Sequence, residues 1–303
     1  MTTPASLRAP DPLVAWLDDA DIERDRIGGK AASLTRLAGH GFRIPPGFCL
    51  TTDAFAIQAA GLPGSENLSN PAALLEPETR RSLVEAMIAG PLSPAVAATL
   101  AASLQRLSRL VPGADGGPAL LAVRSSSVAE DGAAASFAGL HDTELGLTAD
   151  EVAPAILRCW ASLWSERAIG YRARRGLALA GDAMAVVVQA LVPARAAAIV
   201  FTRHPVSGRS DHLLINAAHG LGEAMVSGMI TPDTIVVSKA DRAVVEFTPG
   251  ESDMGRALGD DAREALVALS LEVERAFGTP VDIEAALADD GWYLLQARPI
   301  TTP

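Results

Sequence analysis

The sequence contains little cysteine, which excludes two classes of small or metal-bound protein. Among 303 residues there are only Cys49 and Cys159, and they form no CxxC pair. Two cysteines cannot build a disulfide scaffold, and a cysteine zinc site is not expected without paired ligands. Because both lie in apolar runs, we predict that they are small buried hydrophobic side chains.

Long apolar segments and a positive net charge are also missing. No apolar run approaches the ~18 residues that a membrane helix requires, and residues 1–12 lack the basic and apolar parts of a signal peptide. The formal net charge of −11 opposes binding to nucleic-acid backbones and anionic lipid. We therefore predict a cytoplasmic protein without nucleic-acid or membrane partners, although a locally basic pocket still admits a nucleotide.

Familiar catalytic and nucleotide-binding motifs are absent as well. The sequence contains no G-x-x-x-x-G-K-[ST] loop, no G-x-G-x-x-G opening a helix after a strand, no G-x-S-x-G and no H-E-x-x-H. Aromatic residues make up only 4% of a chain that is 49% hydrophobic, so Ala, Leu and Val must build most of the core. A bound nucleotide therefore requires another architecture.

The apolar patterns predict alternating strands and helices. Helical spacing is found in residues 78–110, 151–176 and 261–277, and a further helix is predicted to open at the Gly-Gly-Lys of residues 28–30. Strands are predicted at 120–123, 183–192, 196–202, 213–216, 234–238 and 292–295. Because there is no strict βαβ period, the pattern favours α/β or α+β layers over a parallel barrel.

Three segments have features that suit an anion. Gly28, Gly29 and Lys30 place flexible backbone and a cation at a predicted helix N-terminus, where free N–H groups favour phosphate; the alternative is a plain loop with a surface lysine. Arg124 and the serines 125–127 are predicted at the C-terminal end of a strand, where Arg suits bidentate phosphate contact; the alternative is a capped strand end with a surface salt bridge. Residues 135–139 form a small-residue loop able to cover phosphates, or a flexible surface turn.

A fourth segment suits a hard cation. Asp282 and Glu284 alternate on one predicted strand, and Gln296 and Arg298 alternate on the next, so each pair points to one face. If the strands pair, two carboxylates, an amide oxygen and a guanidinium meet there. Such oxygen ligands suit Mg²⁺, and the arginine can stabilise charge on a transferring phosphoryl group. The alternative is a solvated sheet face with a salt bridge.

Ten blocks in a fixed order carry a family resemblance, at residues 28–34, 44–48, 123–131, 135–139, 159–163, 186–189, 201–205, 220–223, 282–284 and 295–300. Together they resemble the N-terminal ATP-binding domain of phosphoenolpyruvate synthase and pyruvate phosphate dikinase, which rifampin phosphotransferases share. The resemblance implies an ATP-grasp fold of the α/β (α+β) class, in which two subdomains clamp a nucleotide. We expect these subdomains at residues 1–190 and 191–303.

The resemblance also implies roles for individual residues. The expected catalytic residues are Arg298, Arg124 and Lys30. The expected ATP-binding residues are Lys30, Arg124, Ser136, Phe137, Ala138, Gly139, Gln189, Leu191 and Glu223. The expected ligands of Mg²⁺ are Glu284 and Gln296, with Asp282 nearby.

The function implied by the resemblance is an ATP- and Mg²⁺-dependent phosphotransferase that leaves AMP and phosphate. The five histidines do not lie in the motif of the family's swivelling domain, so we expect the acceptor histidine on a missing part of the enzyme or on a partner chain. One alternative is a stand-alone ATP-grasp kinase or ligase that acts directly on a small molecule. Another is an ATP-binding module without turnover.

Overall fold

Two antiparallel sheets organise the chain in the computed structural model, which describes residues 11–19, 22–111, 113, 117–128, 143–226, 228–252 and 254–300. The first sheet has the strand order β1-β2-β5-β3-β4 and the second has the order β11-β10-β6-β7-β8-β9. The first sheet contains β1 (Val14–Trp16), β2 (Gly47–Leu50), β3 (Leu121–Ser127), β4 (Thr143–Leu147) and β5 (Met184–Ala190). The second contains β6 (Ala196–Phe201), β7 (His212–His219), β8 (Asp233–Ser238), β9 (Val244–Thr248), β10 (Val281–Ala288) and β11 (Gly291–Pro299).

Helices pack on these sheets and connect their strands. They are α1 (Arg24–Gly39), α2 (Thr52–Ala60), α3 (Pro71–Leu75), α4 (Pro77–Ala89), α5 (Pro94–Leu110), α6 (Val152–Ala161), α7 (Glu166–Arg175), α8 (Glu223–Val226) and α9 (Asp260–Phe277). The mixed content confirms the predicted α/β class. The chain changes sheet between Ala190 and Ala196, which supports the boundary expected after residue 190, although the two subdomains remain a prediction.

The first sheet is buried on both faces except at its edge strand β4, because its two sides face different helices. All seven residues of β5 are buried. Since neighbouring strand residues point to opposite faces, Val186 packs with Trp160 of α6, whereas Val187 packs with Ala31 of α1. Cys49 and Cys159 are both buried, as predicted, and no disulfide joins them. Burial raises the pKa of the Cys49 thiol well above its usual range.

The second sheet has one core face and one face with polar residues. Its core face packs against the amphipathic helix α9, where Leu266 and Val273 contact the cluster that holds Ile283 and Leu294. Helix α1 joins the two cores, because Ala31 packs under the first sheet and Leu37 belongs to the core of the second. The opposite face of β10 and β11 is therefore left for the polar residues of the candidate site.

Several predicted elements were wrong in their extent. The helix predicted over 78–110 is two helices, separated by Gly90 and restarted at Pro94, which suits a first helical turn. The helix predicted over 151–176 breaks at Ser165, whose hydroxyl accepts a hydrogen bond from the Ala168 N–H and starts α7. Strands β1, β4 and β9 were missed, because short strands of three to five residues give little periodicity.

Within the described residues no single helix has both the length and the apolar character of a membrane span. Helices α4 and α5 meet that test only as a pair, and they are bent by 52° relative to each other.

Candidate active site

The predicted pairing of the two polar strands is confirmed. Strands β10 and β11 are antiparallel, with Asp282 opposite Arg298 and Glu284 opposite Gln296. Arg298 Nε donates to Asp282 Oδ2 at 3.0 Å, and Arg298 Nη2 lies 2.9 Å from the same oxygen. Burial raises the pKa of Asp282, and the charge of Arg298 opposes that rise. Directly opposite residues share a face of the sheet, so the four side chains form one polar surface.

A β-bulge lies at the centre of this surface. The partner of Glu284 is Gln296, but the partner of Ala285 is Leu294, so the register skips Leu295. Bulges bend a strand and redirect its groups. The Leu295 carbonyl accepts a 2.7 Å hydrogen bond from Nη1 of Arg124, a residue of the first sheet. The first sheet therefore contacts the second sheet at this bulge.

Arg124 joins the predicted phosphate-binding segment of the first sheet to the predicted metal-binding residues of the second. Its Nη2 donates to Glu284 Oε2 and to Gln296 Oε1, both at 3.1 Å. The Arg124 side chain is 11% exposed, whereas that of Glu284 is 32% exposed. The guanidinium is thus held between the sheets by three oxygen atoms, and the carboxylate of Glu284 keeps access to solvent.

The Gly-Gly-Lys segment lies within α1, not at its first residue. The helix begins at Arg24 but has non-helical backbone at Gly28, with φ 73° and ψ 176°, so a second helical run opens just before Lys30. Ser126 closes this break, because its hydroxyl donates to the Ile27 carbonyl at 2.7 Å and accepts from the Ala31 N–H at 3.1 Å. These two hydrogen bonds place Lys30 in the first turn of the second helical run, beside β3. On that strand, Ser126 lies two residues beyond Arg124.

Arg124 and the three serines lie at the C-terminal end of a strand, as predicted, but they form part of β3, which continues to Ser127. The three serines are each 1% exposed or less. Because side chains alternate along a strand, Ser126 points to α1 whereas Ser125 and Ser127 point to the opposite face. The three hydroxyls therefore do not converge on one anion, and the sequence analysis missed the role of Ser126 in supporting the turn of Lys30.

The remaining expected residues have different placements. The side chain of Gln189 is buried and donates to the Pro45 carbonyl at 3.1 Å, and its backbone lies between β2 and β3 in the first sheet. The Leu191 N–H donates to the Leu120 carbonyl at 2.8 Å in the link between the sheets. Glu223 is exposed and opens the short helix α8. The expected phosphate-covering residues Ser136, Phe137, Ala138 and Gly139 lie outside the described residues.

Two cavities open elsewhere on the second sheet, with volumes of about 490 and 290 Å³. Both include His219, and the larger is also lined by Arg195, Asp260 and Asp261. Neither is lined by Arg124 or Glu284. The cavity volumes therefore give no support to the candidate site, which is identified by its polar contacts between the sheets.

The donor set fits a cation that is shared with a ligand better than one held by protein alone. Among the described residues no group of three or more His, Cys, Asp or Glu side chains could hold a metal ion. Glu284 and Gln296 supply one carboxylate and one amide oxygen side by side. Mg²⁺ usually takes one or two carboxylates and completes its shell with water and substrate phosphates, so these residues fit that ion.

Comparisons with known proteins give one matching family model and several longer relatives. Residues 24–258 match the family model described as pyruvate phosphate dikinase, AMP/ATP-binding domain. A rifampicin phosphotransferase from Streptomyces sp is 39% identical over 96% of this chain and 36% of its own length. The prodigiosin synthesizing transferase PigC of Serratia marcescens is 35% identical over 97% of this chain and 33% of its own. A probable phosphoenolpyruvate synthase from Methanocaldococcus jannaschii is 33% identical over 96% and 27%.

These relatives are much longer proteins, and the chain spans about a third of the length of the curated relatives it matches. Among solved structures, a D-alanine–D-alanine ligase from Helicobacter pylori is 10% identical over 66% of this chain and 46% of that one, with a TM-score of 0.30.

Proposed function

The chain belongs to the family of the pyruvate phosphate dikinase AMP/ATP-binding domain, and we propose that it binds ATP with Mg²⁺ and passes a phosphoryl group to a histidine on a swivelling domain. That domain is either a further part of the same enzyme or a partner chain. In this proposal the two sheets belong to the two subdomains of an ATP-grasp fold, with the nucleotide between them.

The contact of Arg124 with Glu284 and Gln296 carries the proposal. A guanidinium that suits phosphate meets a carboxylate and an amide oxygen that suit Mg²⁺, and all three come from different strands of two sheets. A structural salt bridge needs only the arginine and one carboxylate. The additional amide oxygen, the bulge and the solvent access of Glu284 favour a binding site over a solvated sheet face.

Each residue has a role that follows from its chemistry. Glu284 and Gln296 would hold Mg²⁺, with Asp282 beside them, and the bound ion would neutralise charge on the phosphates. Arg124 and Lys30 would contact the phosphates from the side of the first sheet. Arg298 is oriented by Asp282 and would stabilise the charge of the phosphoryl group in transfer, because catalysis of phosphoryl transfer is mainly positioning and electrostatic stabilisation.

The environment of the histidines supports an acceptor outside this set of residues. His204 accepts from the N–H groups of Val206 and Ser207 through Nδ1, which organises its own loop. His212 contacts Asp211 at 2.7 Å, and Nε2 of His219 lies 3.1 Å from the Gly255 carbonyl oxygen. Each of these three rings has a local contact, His204 within its own loop and His212 and His219 at the two ends of β7.

The test follows the fate of ATP labelled at the β-phosphate, with the chain alone and with an added swivelling domain. We expect ATP binding that requires Mg²⁺, followed by AMP, free phosphate and label on the acceptor histidine. Glu284→Gln should weaken binding at limiting Mg²⁺, whereas the exposed Glu272→Gln on α9 should not. Formation of ADP alone with the acceptor present would contradict transfer to a histidine, and an absence of ATP binding would contradict the proposal as a whole.

A small-molecule acceptor is the second candidate, favoured by the relatives named rifampicin phosphotransferase and prodigiosin synthesizing transferase. The same labelling experiment separates the two, because direct transfer of the γ-phosphoryl group to an added small molecule leaves the β-phosphate label in ADP, with no label on a histidine.

A further inference from the structure

The strand that carries Gln296 and Arg298 lies at an edge of its sheet, and its outer side contacts α1 and neighbouring elements. In the order β11-β10-β6-β7-β8-β9, strand β11 has one strand neighbour. On its other side the Leu294 N–H donates to the Arg43 carbonyl at 2.9 Å, and the Leu295 carbonyl accepts from Arg124. Further along, both backbone groups of Ala297 contact the hydroxyl of Ser33.

We propose that Ser33 is a positioning residue for the Mg²⁺ and phosphate site, an inference that rests on the proposed function. Its Oγ accepts from the Ala297 N–H at 3.2 Å and donates to the Ala297 carbonyl. Ala297 is the residue between Gln296 and Arg298. Ser33 therefore fixes the peptide groups on both sides of Ala297, which join it to Gln296 and to Arg298, and so sets the direction in which the two functional side chains leave the strand.

The same helical segment is fixed to the first sheet. Ser126 of β3 accepts from the Ala31 N–H, and Ser33 lies two residues further along α1. Lys30 and Ser33 are three residues apart and so lie on neighbouring positions of the helix surface. The two serines thus connect the turn that carries Lys30 to both sheets at once, and they set its position relative to Arg124 and Arg298.

Helix propensity does not explain why a serine is found at position 33. Alanine is the better helix former, since serine competes for backbone hydrogen bonds. Ser33 is half-buried and its hydroxyl bonds across to β11, not to its own helix. Ser270 of α9 provides the contrast, because it is fully buried and donates to Leu266 of its own helix at 2.7 Å.

The proposal is tested with Ser33→Ala, the hydroxyl-retaining Ser33→Thr and the control Ser270→Ala in the full chain. Calorimetric titration gives the affinity for ATP at several Mg²⁺ concentrations, and thermal unfolding of each variant is recorded in parallel. We expect Ser33→Ala to raise the half-saturating Mg²⁺ concentration about tenfold, in the range found for outer-shell partners of metal ligands. Ser33→Thr should stay within about twofold of the wild type, and Ser270→Ala should leave this concentration unchanged.

The outcomes separate this inference from the proposed function. If the wild type binds ATP with Mg²⁺ but Ser33→Ala does so equally well, the positioning role is refuted and the function stands. An equal loss in Ser270→Ala, or no rescue by Ser33→Thr, also refutes it, because the effect then follows general packing. If the wild type does not bind ATP, the proposed function fails and the positioning role fails with it.

Discussion

Replacing Gly28 by alanine is expected to separate α1 from the first sheet and to disturb the turn of Lys30. A Cβ at this position would lie 2.1 Å from the Ser126 carbonyl oxygen and 2.6 Å from the Ser126 hydroxyl. The nearer atom is backbone of β3, where Ser126 is paired with Ala185 of β5, so it cannot withdraw like the end of a flexible side chain. The same hydroxyl is hydrogen-bonded to Ile27 and Ala31, so its displacement would break these two hydrogen bonds at the junction between α1 and β3.

The magnitude follows from two separate costs. The backbone of Gly28, at φ 73° and ψ 176°, lies in a region that is essentially restricted to glycine and costs other residues about 1–3 kcal/mol. Forcing a methyl group into a packed site costs about 1–3 kcal/mol more. We therefore expect Gly28→Ala to lower the free energy of unfolding by about 2–6 kcal/mol.

Gly41 provides a matched control just beyond the end of α1. Its φ is +80°, but nothing lies within 4 Å of a Cβ built on it. Gly41→Ala should therefore cost only the backbone strain, about 1–2 kcal/mol. Urea denaturation of both variants gives the two free energies, and ATP titration reports on the site. Equal destabilisation of the two variants would show that the close approach of Ser126 does not determine the stability of this junction.

Two further predictions concern buried carboxylates. Asp182 lies 2.9 Å from Arg172, whose side chain is 3% exposed, so Asp182→Asn should lower the free energy of unfolding in urea by about 3 kcal/mol, because it leaves the buried charge of Arg172 unpaired. The control Asp211→Asn, at an exposed pair with Arg209, should have little effect. A similar loss in both variants would contradict the argument from burial. Asp233 accepts from the N–H groups of Gly250 and Ala257, both at 2.8 Å, so Asp233→Asn should lower the free energy of unfolding by about 1–3 kcal/mol and speed hydrogen exchange at both amides. Unchanged exchange rates would show that these two hydrogen bonds do not hold the loop.

The two-residue period of a strand predicts that Asp282 and Glu284 share one face and that Gln296 and Arg298 share one face. Their meeting also depends on the bulge, because the register of Ala285 with Leu294 continued without it would place Glu284 opposite Leu295. The long, periodic segments such as α9 and β5 are predicted for the same reason. Local periodicity is a property of the sequence alone, so it survives without knowledge of the contacts.

The contacts between the sheets could not be predicted in this way. Arg124 and Leu295 are 171 residues apart in the chain, and Ser33 and Ala297 are 264 apart. No local pattern distinguishes Ser126, which caps a turn of α1, from Ser125, which faces the opposite side. The break at Gly28 is also set by tertiary contact, because the glycine is required by the approach of β3 and not by the helix in which it lies.

The contacts along the outer side of β11 affect how this chain can associate with other copies of itself. An uncovered edge strand offers its N–H and C=O groups to any extended segment and so invites strand addition and aggregation. Arg43, Arg124 and Ser33 already use these groups on β11, so pairing at that edge would have to displace α1. The other edge, β9, lies five strands away and is largely exposed. A sheet extended through β9 would leave the polar face of β10 and β11 intact, so self-association there need not block the nucleotide site.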